Sequence, residues 1–442
     1  MKKFKKSLLL TMAGGTSLFS ASVIAASCGS EATEHPLKPK QMMTNVVKLE
    51  ERKLTAEELQ NVPKIAVVTD TGDLNDKSFN QLSWEGIIHF AEFNGIPVSK
   101  YNAYQVHNGN FNEQYDAAIN DGAKIIVVPG FSHQDKLAEY YETNKEKINK
   151  AGIVFIGIDY SLTNEQIGGR GIFLNFNTKE GGFLAGYAAA EFFKDEANKT
   201  YNAFGGMAID AVTDFIEGFA KGVYKHNLTN TTNPLLSVSN NSSFYLDSGF
   251  KTHLASKQTD VSRNSIALNP SILLPVAGAW TTDYASKQPN IKYIVGVDTD
   301  QAMADKANEA KYFTSILKNM AQGIFDLLTA YAKNETSKLG GYVAGQQVGN
   351  LRDGVDANWV DLSETHLAGD DTAKAKAAID KAREVFKAMS SEDKAWLNSN
   401  KPTPDAEAIE GNQARIDALV VATKTAPTAS TDSAAISTPR SN

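Results

Sequence analysis

Several short apolar runs in this chain end in residues able to touch a ligand. Ile65-Ala66-Val67-Val68 precedes Asp70, Ile125-Ile126-Val127-Val128 precedes Gly130 and Asp135, and Ile153-Val154-Phe155-Ile156 precedes Asp159. Ala203-Phe204 leads into Gly205-Gly206, Ile272-Leu273-Leu274 towards Gly278, and Tyr293-Ile294-Val295 towards Asp298. A carboxylate at such a place accepts hydrogen bonds from hydroxyls or amides, and a glycine lets the backbone approach a ligand closely. One loop is richer, running Asp70-Thr71-Gly72-Asp73-Leu74-Asn75-Asp76-Lys77-Ser78-Phe79-Asn80-Gln81. Ser78 and Gln81 stand at capping-box spacing, so a helix is expected to begin there with Phe79 and Asn80 in its first turn. A phenylalanine in that place is either tucked into the core or offered to a ligand. Bond-making chemistry has no comparable support. The chain lacks G-x-G-x-x-G, the P-loop, G-x-S-x-G and H-E-x-x-H, and His89, His107 and His133 are scattered without paired metal-ligand spacing. The expectation is a binding protein rather than an enzyme, with no metal and no cofactor.

Elements must bring these residues together. A further apolar run, Phe313-Thr314-Ser315-Ile316, follows the six above, and helical patterns at 83–93, 134–147, 180–193 and 212–224 lie between the runs. Continuous apolar strands spaced by helices mean parallel sheets covered on both faces. About seven strands over some 270 residues suggest two sheets, hence two lobes. Ligands of open α/β sheets bind outside the carboxyl ends of the strands, so the candidate residues converge by topology.

The chain has 442 residues, 21% of them charged, 42% hydrophobic, and a formal charge of −7. At about 150 residues per domain the length allows about three domains, or two with appendages. The acidic balance argues against a nucleic-acid partner, and the single cysteine excludes an intramolecular disulfide. That cysteine closes a distinctive N-terminus. Lys2, Lys3, Lys5 and Lys6 are followed by a weakly apolar run that stops at Ala25-Ala26-Ser27-Cys28. A basic region, an apolar region and small residues describe a secretory leader. The junction resembles a lipobox, in which Cys28 is diacylated and becomes the new N-terminus, an anchor strong enough for stable membrane attachment.

The loop from Asp70 to Asn80, with Gln81, Trp84, Glu85 and Gly86, resembles the basic membrane protein (BMP) family, the substrate-binding lipoproteins of ABC-type importers whose characterised members bind purine nucleosides. The likeness continues in family order through Glu180-Gly181-Gly182-Phe183-Leu184-Ala185-Gly186-Tyr187 and Phe204-Gly205-Gly206-Met207 with Phe215, Gly218 and Phe219. It goes on through Leu274-Pro275-Val276-Ala277-Gly278, Gly296-Val297-Asp298-Thr299-Asp300-Gln301 and Thr314-Ser315-Ile316-Leu317-Lys318-Asn319. It covers roughly residues 63 to 350. The loop Phe131-Ser132-His133-Gln134 and the stretch from Asn227 to Asn264 depart from the family pattern.

The resemblance implies an α/β chain with the type I periplasmic-binding-protein fold, two doubly wound parallel-sheet lobes joined by three crossings. The expected division is a leader at 1–27, an anchor and tether at 28–62, lobe one at 63–172 and 315–340, and lobe two at 173–314 and 341–360. A helical extension at 361–424 and a disordered tail at 425–442 complete it. A capping box at Thr55-Ala56-Glu57-Glu58 and an amphipathic helix over 373–389 are expected outside the lobes. The resemblance also implies a ligand site. Phe79 and Phe215 would sandwich the base, Asp298 would accept from both ribose hydroxyls, and Lys318 would donate to a hydroxyl while balancing that carboxylate. Asn80 and Asp135 would read base edges, Asp70 would accept from ribose or base, and Gly278 would let the backbone approach the sugar. Carboxylates around the ligand would repel a phosphate. The expected partners are a nucleoside, an ABC permease and the outer face of the bacterial plasma membrane, reached by a monomer. A sugar or other small polar ligand, or a surface-adhesion or antigen role, are the competing readings.

Overall fold

A computed structural model describes residues 34–426. The leader, Cys28 and the tail beyond residue 426 lie outside the described residues. In chain order the strands are β1 (Ile65–Val68), β2 (Tyr101–Tyr104), β3 (Ile125–Pro129), β4 (Val154–Ile158), β5 (Gly171–Phe176), β6 (Thr200–Gly205), β7 (Leu236–Ser237), β8 (Ile272–Val276), β9 (Tyr293–Asp298), β10 (Tyr312–Lys318), β11 (Gly349–Asp353) and β12 (Val360–Leu362). They form two six-stranded sheets, ordered β11-β5-β4-β3-β1-β2 and β12-β10-β9-β8-β6-β7. Every pairing is parallel except β12 against β10. The two orders superimpose position by position, so each lobe repeats the other. Two doubly wound lobes of this kind make the type I periplasmic-binding-protein fold.

The apolar runs are continuous because both faces of each strand are buried. Ile65 and Val67 belong to one core cluster while Ala66 and Val68 belong to another, and β3 divides likewise between Ile125, Val127 and Ile126, Val128. Against its other flank the second sheet packs a smaller cluster around Phe204, Trp280 and Ile294. All seven expected strands are present, most of them longer than their apolar runs. Five further strands also form, β5 among them with an apolar run of its own, Ile172-Phe173-Leu174. β11 reads Gly-Asn-Leu-Arg-Asp and is largely solvated, and β2 alternates buried and half-buried residues.

Sheet membership moves the lobe boundaries. β11 pairs with β5 from Gly349↔Ile172 to Asp353↔Phe176, so 349–353 belongs to lobe one and not to lobe two. β10 stays in the second sheet as far as Lys318, so lobe one resumes at Asn319. The three crossings therefore fall at Asn177, at Asn319 and over 354–359. They are tied together, since Asn177 N–H donates to Asp353 O at 2.8 Å and Asn319 N–H to Trp359 O at 2.8 Å.

Two expected appendages are built into the lobes. Residues 34–62 do not hang as a tether: buried His35 packs edge-on to Trp84 at 5.0 Å, and its ring Nε2 lies 3.1 Å from Tyr101 O. The capping box at Thr55 and Glu58 is present and starts the helix Ala56–Gln60. The C-terminal extension belongs to lobe two. Its helix Asp370–Lys387 buries Ala375, Ala378, Ile379, Ala382 and Phe386, with Phe386 6.3 Å from Phe183. Tyr201 of β6 and Thr423 share a hydrogen bond of 2.7 Å.

Candidate functional site

β4 and β9 occupy the same place in their two sheets, and each runs out through Gly-x-Asp: Gly157-Ile158-Asp159, with Asp159 just past the strand, and Gly296-Val297-Asp298. Both aspartates are left-handed, at φ 69°. That region is uncommon for residues with a side chain, and such strain gathers at functional sites. The two carboxylates converge from opposite lobes on Lys318, the last residue of β10. Its Nζ lies 2.8 Å from Asp159 Oδ2 and 3.0 Å from Asp298 Oδ1, and the side chain is 3% exposed. Burial opposes the charged form of Lys318, but the two carboxylates outweigh it and hold the ammonium above the ordinary lysine value. Burial pushes the Asp298 carboxyl up, and the like charge of Asp159 adds to this against the pull of Lys318. Asp298 Oδ1 is buried and makes no aligned hydrogen bond, which leaves it short of partners.

Two aromatic faces flank the same ammonium. Phe79 opens the helix Phe79–Asn94 that follows β1, and Phe215 lies on the helix Asp210–Asn227 that follows β6, the counterpart of β1. Lys318 Nζ is 5.7 Å from the Phe79 ring centroid and 5.1 Å from that of Phe215, within cation–π range. Phe79 is half-buried while Phe215 is 1% exposed.

The 70–81 loop is ordered by Asp76 rather than by Ser78. The helix starts at Phe79 as expected, yet Ser78 makes no side-chain cap. Asp76 Oδ1 accepts from Ser78 N–H at 2.8 Å and from Gln81 N–H at 3.2 Å, and Gln81 Oε1 turns back to Lys77 N–H at 3.1 Å. Asp76 is three residues before the helix, where its short carboxylate reaches donors that the Ser78 hydroxyl does not. Asn80 is 1% exposed and its amide is committed within the loop, Nδ2 donating to Asp70 Oδ1 at 2.8 Å and to Asp76 Oδ2 at 2.7 Å, with Oδ1 accepting from Asp70 N–H at 2.8 Å. Asp70 Oδ1 also accepts from Gly72 N–H, and Ser132 Oγ stands 3.3 Å from Asp70 Oδ2. In this arrangement Asp70 and Asn80 shape the loop that presents Phe79. Gly278 follows β8 at φ 57° in open space, 3.9 Å from Phe250 when a Cβ is placed there. Asp135 is exposed in the first turn of the helix His133–Ala151, apart from the Lys318 cluster.

Its neighbour His133 is fully buried, with Nδ1 2.7 Å from the Tyr115 hydroxyl. Burial pushes its imidazole down to about 4. The unfolded chain takes that proton below about 6.5 and the folded chain refuses it down to about 4, so stability falls as pH drops through this window, by about 3 kcal/mol. Urea denaturation at pH 7 and pH 4.5 should show a smaller loss in His133→Gln than in the native chain. An equal loss in the two would remove His133 from the account.

The lobes meet across the cleft. Lys77 Nζ donates to Met303 O at 3.1 Å, the Phe131 and Phe250 rings lie 6.1 Å apart, and Arg352 of β11 pairs with Asp214 at 2.5 Å. Cavities of about 330 and 340 Å³ open on either side of Lys318. Among the described residues no group of three or more His, Cys, Asp or Glu is arranged to hold a metal, and no helix is long and apolar enough to cross a membrane. The sequence reading missed Asp159 as a member of the site. The repeated Gly-x-Asp was the signal, legible only once β4 and β9 are known to be counterparts.

The family model described as Bmp, ABC transporter substrate-binding protein PnrA-like, matches residues 63–346. An ABC transporter nucleoside-binding protein BmpA of Lactococcus lactis is 31% identical over 161 residues, which are 36% of this chain and 42% of that one. An uncharacterised lipoprotein of Mycoplasma genitalium is 25% identical over 217 residues, 37% of this chain and 36% of that one. The chain thus spans less than half the length of these two relatives. An ABC transporter solute-binding protein of known structure from Aeropyrum pernix aligns over 76% of this chain and 89% of its own, at 18% identity and a TM-score of 0.49.

Proposed function

We propose that this chain, which belongs to the Bmp family of PnrA-like ABC transporter substrate-binding proteins, captures purine nucleosides between its lobes and delivers them to a permease from a lipid anchor at Cys28. Substrate-binding proteins of this family are not enzymes, and the site holds groups for recognition alone. The observation that carries the reading is the convergence on Lys318: a carboxylate from each lobe within 3.0 Å of its ammonium and an aromatic ring from each lobe within 5.7 Å. A flat base uses the rings, and ribose hydroxyls supply aligned donors to buried Asp298 Oδ1, which Lys318 Nζ meets at 3.0 Å without hydrogen-bond alignment. A nucleotide phosphate would meet the same carboxylates and be disfavoured. The nucleoside-binding relative in Lactococcus supports the ligand class. The anchor rests on the basic and apolar leader ending at Ala25-Ala26-Ser27-Cys28 and is checked by intact mass, where a diacylated chain beginning at Cys28 is expected and one retaining Met1 would refute it.

Calorimetric titration with adenosine, its 2′-deoxy analogue, adenine and the 5′-monophosphate tests the ligand. Adenosine should bind tightest. Loss of the 2′-hydroxyl leaves an acceptor unpaired, which costs about 1–3 kcal/mol. Phe79→Ala and Phe215→Ala should each weaken adenosine by about 1–3 kcal/mol through lost stacking. Tighter binding of the monophosphate, or of a hexose such as galactose, would sink the nucleoside reading.

A further inference from the structure

The family match begins at residue 63, yet the segment ahead of it is fastened to lobe one by a series of hydrogen bonds. Trp84 Nε1–H donates to Leu37 O at 2.9 Å and Gln81 Nε2–H to Gln41 O at 2.9 Å. Next comes Glu85, a carboxylate with no exposed surface. Its oxygens accept from Met43 N–H at 2.9 Å, Thr44 N–H at 2.8 Å, Thr44 Oγ1 at 2.7 Å and Gln81 Nε2 at 2.8 Å. A buried charge must be hydrogen-bonded, and three of these donor groups come from the segment, so its departure would orphan the charge. Farther along, Val47 N–H donates to Gln322 Oε1 at 2.6 Å. The segment is therefore strapped across two lobe-one helices, and both helices begin at the ligand site. Phe79 heads the first, and Lys318 and Asn319 lead directly into the second, Met320–Ala332.

The strap also faces the cleft. Met42, Met43, Thr44 and Asn45 line one side of the 340 Å³ cavity, and Asp298 and Met303 of lobe two line the other. Lys77 crosses it by donating to Met303 O, so both lobes build the cavity. Its lining combines flexible thioethers, which adapt to irregular apolar shapes, the Asn45 amide, which can pair with a neutral polar group, and the charged groups of Lys77, Asp298, Asp300 and Lys318.

We propose that Met42–Asn45 form a wall of the ligand cleft, so that the segment ahead of the family domain helps select the ligand on which the lobes close. Only the choice of a neutral nucleoside as probe rests on the function proposed above. Asn45 is exposed along the cavity, and Lys48 is exposed outside its lining. In the full chain, Asn45→Trp should fill the cavity and weaken adenosine at least tenfold with thermal unfolding unchanged, while Lys48→Trp stays within twofold of the native chain. Glu85→Gln should loosen the strap, speeding hydrogen exchange over 41–47, and should weaken adenosine as well. Native affinity in Asn45→Trp would overturn the proposal, and a loss of affinity in Lys48→Trp equal to that in Asn45→Trp would do the same. If the tryptophan prevents folding, Asn45→Gln, one methylene longer, is read in its place. If the native chain binds no nucleoside, the nucleoside reading falls by itself and the strap is judged without ligand. The wedge at Asn45 should then speed exchange across the cavity at 298–303, and unchanged exchange there would overturn the strap wall.

Discussion

Replacing Lys318 by methionine is expected to destabilise the protein by about 3–5 kcal/mol, because it leaves a buried charge without its partner, and to abolish ligand capture. The side chains are similar in length, so packing is largely kept. What is lost is the ammonium that lies within 3.0 Å of both Asp159 and Asp298. Two carboxylates brought together without a cation cannot both stay ionised, and the Asp298 carboxyl, already pushed up by burial, becomes the better proton acceptor. A carboxyl whose folded value lies above its unfolded one makes stability fall as pH rises through that raised range. Lys318→Met should therefore be nearer to native stability at pH 5 than at pH 8. In the native chain the ammonium of Lys318 is held above the ordinary lysine value, so it contributes no such slope below alkaline pH. Adding Asp159→Asn and Asp298→Asn should restore much of the stability, since neutral groups need no counter-charge, while adenosine binding stays lost. Urea denaturation at the two pH values, with titration beside it, makes the comparison. A single variant as stable as the native chain at pH 8 would show that the three charges are not coupled.

The parts of this fold that the sequence exposes are those where burial is two-sided. β1, β3, β4 and β9 read as apolar runs because alternate residues enter separate cores. β11 is silent for the opposite reason. It is an edge strand whose Asn350, Arg352 and Asp353 are not buried, and only its pairing with β5 reveals it, which is why 349–353 was expected in the wrong lobe. The site divides in the same way. Lys318, Asp298, Phe79 and Phe215 come from four elements far apart in sequence, and their expected association depended on family likeness, not on spacing. Asp159 was visible as a strand-end carboxylate but had no stated role, because the repeat that pairs it with Asp298 is in strand order and not in sequence identity. Asn80 illustrates the limit on side chains. Its type suits base recognition, but Asp70 and Asp76 already occupy its amide.

The C-terminal extension was read as an appendage because its one amphipathic helix advertises a buried face without naming what covers it. The covering is charged as well as apolar, and Glu217→Ala is expected to cost about 3–5 kcal/mol for that reason. Glu217 lies on the Phe215 helix and is 1% exposed. It pairs with Arg415 Nε of the extension at 2.6 Å and with Lys179 Nζ at 3.0 Å. Arg415 also reaches exposed Asp210 at 2.8 Å, and Asp214 stands only 3.5 Å from Lys179, so neither neighbour replaces a carboxylate set between the two cations. One helical turn on, Lys221 Nζ donates to the carbonyls of Trp396, Leu397 and Ser399 at 2.7–3.1 Å, and burial pushes its ammonium down to about 7. The helix that sets the Phe215 ring against Lys318 is thus fixed from behind by residues beyond the family match. Glu217→Ala should lower the urea midpoint, hasten proteolysis within 400–426, and weaken nucleoside binding through displacement of Phe215. A double-mutant cycle with Arg415→Met should return a coupling of about 1 kcal/mol or more, as residues of one salt-bridge network do. Additive losses, with the extension no more open to protease, would mean that lobe two holds its shape without it.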